Sequence, residues 1–101
     1  MASYFEVQKM FRELQPDVAE RVRKAMPDAG DALEIVDARD DGAYWFTFSD
    51  RRIRMELTGT KQLLILVYEG DAVSPIRQMR GLIEAPQGVS EMIVLALNYA
   101  V

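Results

Sequence analysis

The sequence predicts a single α+β domain over residues 1–101, in which a four-stranded antiparallel β-meander lies between helical segments. Three observations predict this class. Apolar residues recur at helical spacing before residue 26, short apolar segments separated by tight turns occupy residues 32–68, and residues 89–101 are strongly apolar. A chain of 101 residues in which half are hydrophobic and 28% are charged has the size and balance of one globular domain.

The first predicted element is a helix that begins at a capping box. Ser3 and Glu6 have the spacing at which the serine hydroxyl accepts the amide of residue 6 while the glutamate reaches back. Apolar residues then share one helical face: Val7, Met10, Phe11, Leu14, Val18, Val22 and Ala25. Pro16 lacks an amide and disfavours helical geometry at Gln15. The helix is therefore either kinked at Pro16 or split there into two, and in both cases it ends before Pro27.

Residues 32–68 have the pattern of four antiparallel strands joined by short connections. The predicted strands are Ala32–Arg39, Ala43–Ser49, Arg52–Thr58 and Gln62–Tyr68. A turn at Asp50-Arg51 would pair Phe48 with Ile53, Phe46 with Met55 and Tyr44 with Leu57, all on one apolar face. A four-residue loop at the same place would leave the same side chains on each face of the sheet. A slip of one residue would destroy the agreement, so the pattern indicates which face is apolar.

The fourth predicted strand is apolar at every position instead of alternating. Leu63, Ile65 and Val67 would face one side of the sheet, and Leu64, Leu66 and Tyr68 the other. Strands with this pattern are buried on both faces. We therefore expect either a helix of this chain or a second subunit to cover the second face.

The remaining chain predicts a short helix and then an apolar C-terminal helix packed on the sheet. Ser74 and Pro75 form an N-cap with proline at the first helical position, which opens a helix to about residue 79 or 82. The segment Val89–Val101 suits a helix by its length and is apolar on nearly all sides, so it should be deeply buried. A β-strand over residues 92–97 is the alternative.

The composition excludes several kinds of active site. The chain has no cysteine and no histidine, so it has no disulfide, no zinc–thiolate site, no cysteine nucleophile and no Ser-His-Asp triad. Its six glycines are isolated, and none forms a phosphate-binding loop. The acidic segment 37–42 is not a calcium loop, because Arg39 and Phe48 stand where oxygen ligands are needed. We expect no cofactor, no metal and no catalytic activity.

The outer face of the central hairpin carries the candidate binding residues. They are Trp45, Thr47, Arg52, Arg54 and Glu56. A tryptophan flanked by arginines can stack on a ligand ring or anchor a protein interface. The alternative is that Trp45 packs under the C-terminal helix. Asp37 is a further candidate. If the β-turn is Asp41-Gly42, Asp37 faces inward and can act as a general acid or base, whereas a three-residue turn leaves its side chain in solvent.

Targeting patterns favour a cytoplasmic protein, and the charge disfavours nucleic acid as a partner. The net charge is −4, the acids gather between residues 28 and 41, and Arg51, Arg52 and Arg54 form the tight basic cluster. Net acidity disfavours binding to nucleic acid, because phosphate neutralisation supplies most of that affinity. The apolar runs are far shorter than the ~20 residues that cross a bilayer, and the N-terminus does not have the pattern of a secretory signal.

We therefore expect a small acidic interaction module that binds a partner protein, and that forms a homodimer if strand four is covered between chains. The alternative is a small-ligand binder or a histidine-free enzyme that holds an anion with Arg52 and Arg54, with Asp37 or Glu56 as the acid. A platform for single-stranded nucleic acid is a third and less favoured interpretation.

Met55→Asp should unfold the chain, because it places a carboxylate in the predicted core at a cost of several kcal/mol (~2–7 kcal/mol for an unpaired polar group). Thermal denaturation followed by circular dichroism is the measurement, and loss of the cooperative transition is the expected result. An unchanged melting temperature would show that the two faces of the hairpin are inverted.

Overall fold

The computed structural model describes residues 3–38 and 42–98 and has an α+β architecture. Its elements are helix α1 (Tyr4–Ala25), a short 3-10 helix (Gly30–Ala32), strands β1 (Glu34–Ala38), β2 (Ala43–Phe48), β3 (Arg51–Leu57), β4 (Leu63–Glu69) and β5 (Arg77–Gly81), and helix α2 (Pro86–Asn98). The strands form one antiparallel sheet in the order β1-β2-β3-β4-β5. The predicted class is confirmed, but the sheet has five strands instead of four.

The fifth strand replaces the short helix that the cap-like residues Ser74 and Pro75 predict, so that prediction was wrong. Residues 77–81 pair with β4, from Val67 opposite Arg77 to Leu63 opposite Gly81. A cap signal is local, whereas pairing satisfies the backbone groups along the whole free edge of β4. Pro75 precedes the strand, where its missing amide costs no ladder hydrogen bond.

Helix α1 runs unbroken through Pro16, so the interpretation of two separate helices was wrong. Ser3 caps it as predicted, since its Oγ accepts the amide of Glu6 at 3.2 Å. Pro16 removes the amide that would normally bond the carbonyl of Arg12. The helix continues because one stripe of buried side chains holds both halves on the same core: Val7, Phe11, Leu14, Val18 and Val22.

Helix α2 confirms the helical interpretation of the C-terminal segment, of which residues 99–101 lie outside the described residues. The buried positions of α2 are Val89, Ser90, Ile93, Ala96 and Leu97. Leu95 is 57% exposed, so the expectation of burial on nearly all sides was wrong for the outer side of this helix. The helix packs on α1, β2 and β3.

Arg51 ties the end of α2 to the sheet. Its Nη1 donates to the carbonyl of Ala96 at 2.9 Å, and its Nη2 lies 3.5 Å from Oε2 of Glu69. The Arg51 side chain is only 13% exposed. A cation at the last turn of a helix satisfies a carbonyl that lacks an intrahelical partner and is favoured by the helix dipole. The same side chain therefore links α2, β3 and β4.

The β2–β3 hairpin has the predicted faces but a different register. Phe46 pairs with Ile53 and Tyr44 with Met55, a shift of two residues from the prediction, and the turn is Ser49-Asp50. Ser49 takes the left-handed backbone conformation there, with φ of 57°. A shift by two residues keeps every side chain on its own face, because side chains alternate with period two.

Both helices lie on the same face of the sheet. The strand residues of the core are Phe46, Ile53, Met55, Leu63, Ile65 and Val67, and they form one cluster with the buried residues of α1 and α2. The other face, which we call the open face, has no helix over it within residues 3–38 and 42–98. Leu64, Leu66 and Tyr68 on that face are only partly buried, so the expectation that a helix of the chain covers it was wrong for the described residues.

Gly81→Ala should destabilise the chain, because α2 approaches the backbone of Gly81 too closely for a side chain. A Cβ at residue 81 would lie 2.9 Å from Cγ2 of Val89 and 3.2 Å from Cδ2 of Leu63. Both neighbours are buried and Val89 is stiff at χ1, so we expect a loss of about 1–3 kcal/mol in the free energy of unfolding. Urea denaturation is the measurement.

Gly88→Ala is the matched control. A Cβ at residue 88 meets nothing within 4 Å, and the residue lies in α2. Alanine is the better helix former by up to about 1 kcal/mol, so this variant should be as stable as the parent chain or slightly more stable. Equal effects of the two substitutions would contradict the close packing of α2 on β5.

Candidate binding face

The cross-strand register places the five predicted binding residues together on the open face. Val36, Trp45, Arg54, Leu66 and Gln78 follow one another across the five strands in a single row. The flanking rows hold Glu34, Thr47, Arg52 and Tyr68 on one side and Glu56, Leu64 and Arg80 on the other. The open face therefore carries apolar side chains near its centre, with charged side chains between and beside them.

Trp45 lies in a stack of aromatic and guanidinium groups. Its ring centroid is 5.6 Å from that of Tyr68, with an angle of 42° between the planes. The Cζ of Arg52 lies 5.8 Å from the Trp45 centroid and 5.2 Å from the Tyr68 centroid, and that of Arg54 lies 5.5 Å from Trp45. The alternative that Trp45 packs under the C-terminal helix is wrong, because α2 lies on the opposite face of the sheet.

Arg54 and Glu56 neutralise each other on the open face. They are two residues apart on β3 and so point to the same side of the sheet. Nε and Nη2 of Arg54 both lie 2.9 Å from Oε2 of Glu56. The side chains are 20% and 25% exposed, so the pair is shielded more than a typical surface ion pair.

Arg52 fastens the loop that joins β4 to β5. Its Nε donates to the carbonyl of Gly70 at 3.0 Å, and its Nη2 donates to the carbonyl of Ala72 at 2.7 Å. The next residue of this loop, Val73, is 94% exposed. The loop that Arg52 holds therefore carries an exposed apolar side chain.

The two arginines of the small-ligand interpretation, Arg52 and Arg54, both already have acceptors within the chain. The guanidinium of Arg52 is used on loop carbonyls, and that of Arg54 is used on Glu56. Asp37 on β1 lies directly opposite Tyr44 on β2, and the Tyr44 side chain is on the helix side of the sheet. Asp37 is therefore not on the open face with the arginines. Asp37 faces the helix side as one interpretation predicts, but it is exposed, so it is not a buried carboxylate.

Leu64, Leu66 and Tyr68 belong to the open face but were not among the predicted binding residues. The signal that could have identified them is the lack of alternation along β4, which leaves apolar side chains on both faces. The contacts of Arg52 with the β4–β5 loop had no sequence signal, because a carbonyl acceptor is present at every residue.

A second concave region lies on the helix side, between α1 and the β1–β2 hairpin. This cleft has a volume of about 750 Å³, and its lining residues are Tyr4, Gln8, Phe11, Arg12, Gln15, Pro16, Asp37, Gly42, Tyr44 and Leu57. Burial, and then the charge of Asp37, raise the pKa of the Tyr44 phenol, while Arg23 acts in the opposite direction. Tyr44 is therefore a neutral hydrogen-bond donor at ordinary pH.

Comparisons with known proteins do not add to this geometry, since the chain matches no family model, no curated protein and no solved structure. In the described ranges, neither helix combines the length and apolar character needed to cross a membrane. Nor do residues 3–38 and 42–98 bring three acidic side chains together as a metal site.

Arg52→Met should loosen the β4–β5 loop while leaving the sheet folded. The variant keeps an aliphatic stem beside Trp45 and Tyr68 but loses both hydrogen bonds to the loop. Each charge-assisted bond contributes about 1.5 kcal/mol at the low end of the usual range, and less when exposed, so amide exchange at residues 70–74 should be about tenfold faster. Arg77→Met on the exposed edge strand is the control and should not change exchange in this loop. Unchanged protection in Arg52→Met would show that the loop is ordered by other contacts.

Proposed function

We propose that this chain is a protein-interaction module without catalytic activity, whose open face receives an amphipathic helix of a partner protein. The observation that carries the proposal is an apolar sheet face with no helix over it in the described residues. Four of its charged members, Arg52, Arg54, Glu56 and Arg80, already have partners within the chain. The lack of histidine and cysteine supports a binding role over a catalytic one.

The apolar content of the face supports docking. Trp45, Leu64, Leu66 and Tyr68 are half-buried, and Val36 is 51% exposed, so all five retain apolar surface that a partner can remove from water. Removing that surface is worth about 25 cal/mol per Å². Tryptophan and tyrosine are also the residues most often found at the energetic centres of protein interfaces.

The charges of the face support a partner with acidic flanks. The face has three arginines, Arg52, Arg54 and Arg80, and two glutamates, Glu34 and Glu56, so it is net positive although the whole chain carries −4. Because Arg54 and Glu56 pair with each other, they do not require a partner charge when the face is desolvated. Two copies of this chain placed face to face would bring two net positive surfaces together, which disfavours a second copy as the occupant.

The dimensions of the face suit a helix. A row that crosses five strands is about 19 Å long, at about 4.8 Å between neighbouring strands. A helix of about 13 residues has the same length. Helices on a sheet face are a standard way to complete a core, and α1 and α2 already do this on the other side.

Trp45 makes the proposal directly measurable, because it is the single tryptophan of the chain and lies on the open face. The probe is a helical peptide of 14 residues with leucines on one face and glutamates on its flanks. We expect it to shift the emission of Trp45 to shorter wavelength, with a dissociation constant in the micromolar range. The same peptide with lysine flanks should bind at least about tenfold more weakly, because it places like charges beside Arg52 and Arg80.

Leu66→Lys should abolish the response to the acidic peptide, and Leu95→Lys should leave it unchanged. Leu95 is the matched control because it is 57% exposed on α2, on the other side of the molecule. No response to the peptide at millimolar concentration would contradict the proposal. A dimer that is detected by light scattering and that Leu66→Lys dissociates would also contradict the proposal, since a second copy of the chain would then cover the open face. Salt-sensitive quenching by single-stranded DNA that Arg54→Ala abolishes would indicate a nucleic-acid platform instead.

A further inference from the structure

We propose that the cleft between α1 and the β1–β2 hairpin binds a small zwitterion with an aromatic side chain, such as a free aromatic amino acid. The cleft is on the helix side of the sheet, so this site is separate from the open face and does not depend on the helix-docking proposal. Three features of the cleft favour such a ligand, namely its two walls, the charges that these walls bring together and its volume.

One wall is a single face of α1. Tyr4, Gln8, Phe11 and Gln15 recur at intervals of three and four residues, which places them in line along the helix. Arg12 lies beside this line, one turn before Pro16. This wall therefore offers the exposed ring of Tyr4, two amides and a guanidinium to the same space, with the mostly buried ring of Phe11 beside them.

The other wall comes from the sheet. Asp37 and Tyr44 are directly opposite each other on β1 and β2, and Leu57 closes the wall on β3. Asp37 is exposed and brings a carboxylate to the cleft, while Tyr44 is half-buried and brings a ring and a neutral hydroxyl. A ring together with a carboxylate is the combination that binds an ammonium group, through the face of the ring and through the charge.

Arg12 supplies the opposite charge. Within residues 3–38 and 42–98, its guanidinium makes no hydrogen bond or ion pair, in contrast to Arg51, Arg52 and Arg54. A guanidinium binds a carboxylate with two parallel hydrogen bonds. The cleft thus presents a cation on its helical wall and an anion on its sheet wall, which complements a ligand that carries both charges.

The size and lining favour a small molecule with a flat apolar part. A volume of about 750 Å³ lies within the range of about 300–1,000 Å³ that holds small-molecule ligands. Tyr4 and Tyr44 are at least partly exposed and offer ring surfaces for an aromatic side chain, which binds them in offset or edge-to-face geometry. An aromatic amino acid combines this ring with the two charges.

Three ligands of similar shape test the inference. L-phenylalanine carries both charged groups, phenethylamine lacks the carboxylate, and 3-phenylpropionate lacks the ammonium. The measurement is the change in amide chemical shifts of the ¹⁵N-labelled chain. We expect L-phenylalanine to perturb residues of α1 near Arg12 and residues near Tyr44. It should bind about threefold to fivefold more tightly than either analogue, which is the effect of one half-exposed charge pair.

Two charge-neutralising variants assign the two ends of the ligand. Asp37→Asn should remove the advantage of L-phenylalanine over 3-phenylpropionate, and Arg12→Gln should remove its advantage over phenethylamine. Arg21→Gln is the matched control, because Arg21 is on α1 and pairs with Asp17 outside the cleft, at 3.0 Å. All three residues are exposed, so the variants should keep the melting temperature of the parent chain.

Absence of shifts at millimolar L-phenylalanine would overturn the inference. Equal binding of the three ligands, or preferences that Asp37→Asn and Arg12→Gln leave unchanged, would overturn it as well, since the charges would then have no role. These outcomes are independent of the peptide experiment, whose readout is the fluorescence of Trp45 on the other face of the sheet.

Discussion

The burial of a single face of the sheet is the constraint on which the other features depend. Phe46, Ile53, Met55, Ile65 and Val67 are almost completely removed from water, and α1 and α2 are both used to achieve this. With both helices on one side, the described part of the chain has no helix left for the other side. The open face is therefore a consequence of how the core is built, and its apolar side chains follow from β4 having lost the usual alternation.

Arg51, Arg52 and Arg54 show how position on one strand decides what a charged side chain does. Arg51 points to the helix side and bonds a carbonyl of α2, whereas Arg52 and Arg54 point to the open face. Of these two, Arg52 bonds backbone carbonyls and Arg54 bonds a carboxylate. The basic cluster seen in the sequence thus divides into three separate structural contacts. Each of these arginines has an acceptor within the chain.

The sequence was sufficient to predict which strand residues share a face of the sheet. It was insufficient to predict which residues of neighbouring strands lie opposite each other and which segments pair. The shared face of Trp45, Arg52 and Arg54 was predictable because alternation assigns faces. The register was not, because a shift by two residues leaves alternation unchanged. Strand β5 was missed because Ser74 and Pro75 resemble a helix start locally, while the free edge of β4 favours a strand. The cleft joins Arg12 to Asp37 from separate elements, so neither residue indicated the site alone.

The order of the strands also determines how the chain can fold. Every strand pairs with its neighbour in the sequence, so each pairing in the sheet closes a short loop. Local contacts of this kind form quickly, because little chain entropy is lost before a contact is made. The packing of α1 on α2 is different, since the two helices are separated by the whole sheet. Formation of this contact brings together the two most distant described elements, and we expect it to be the slow step in reaching the native state.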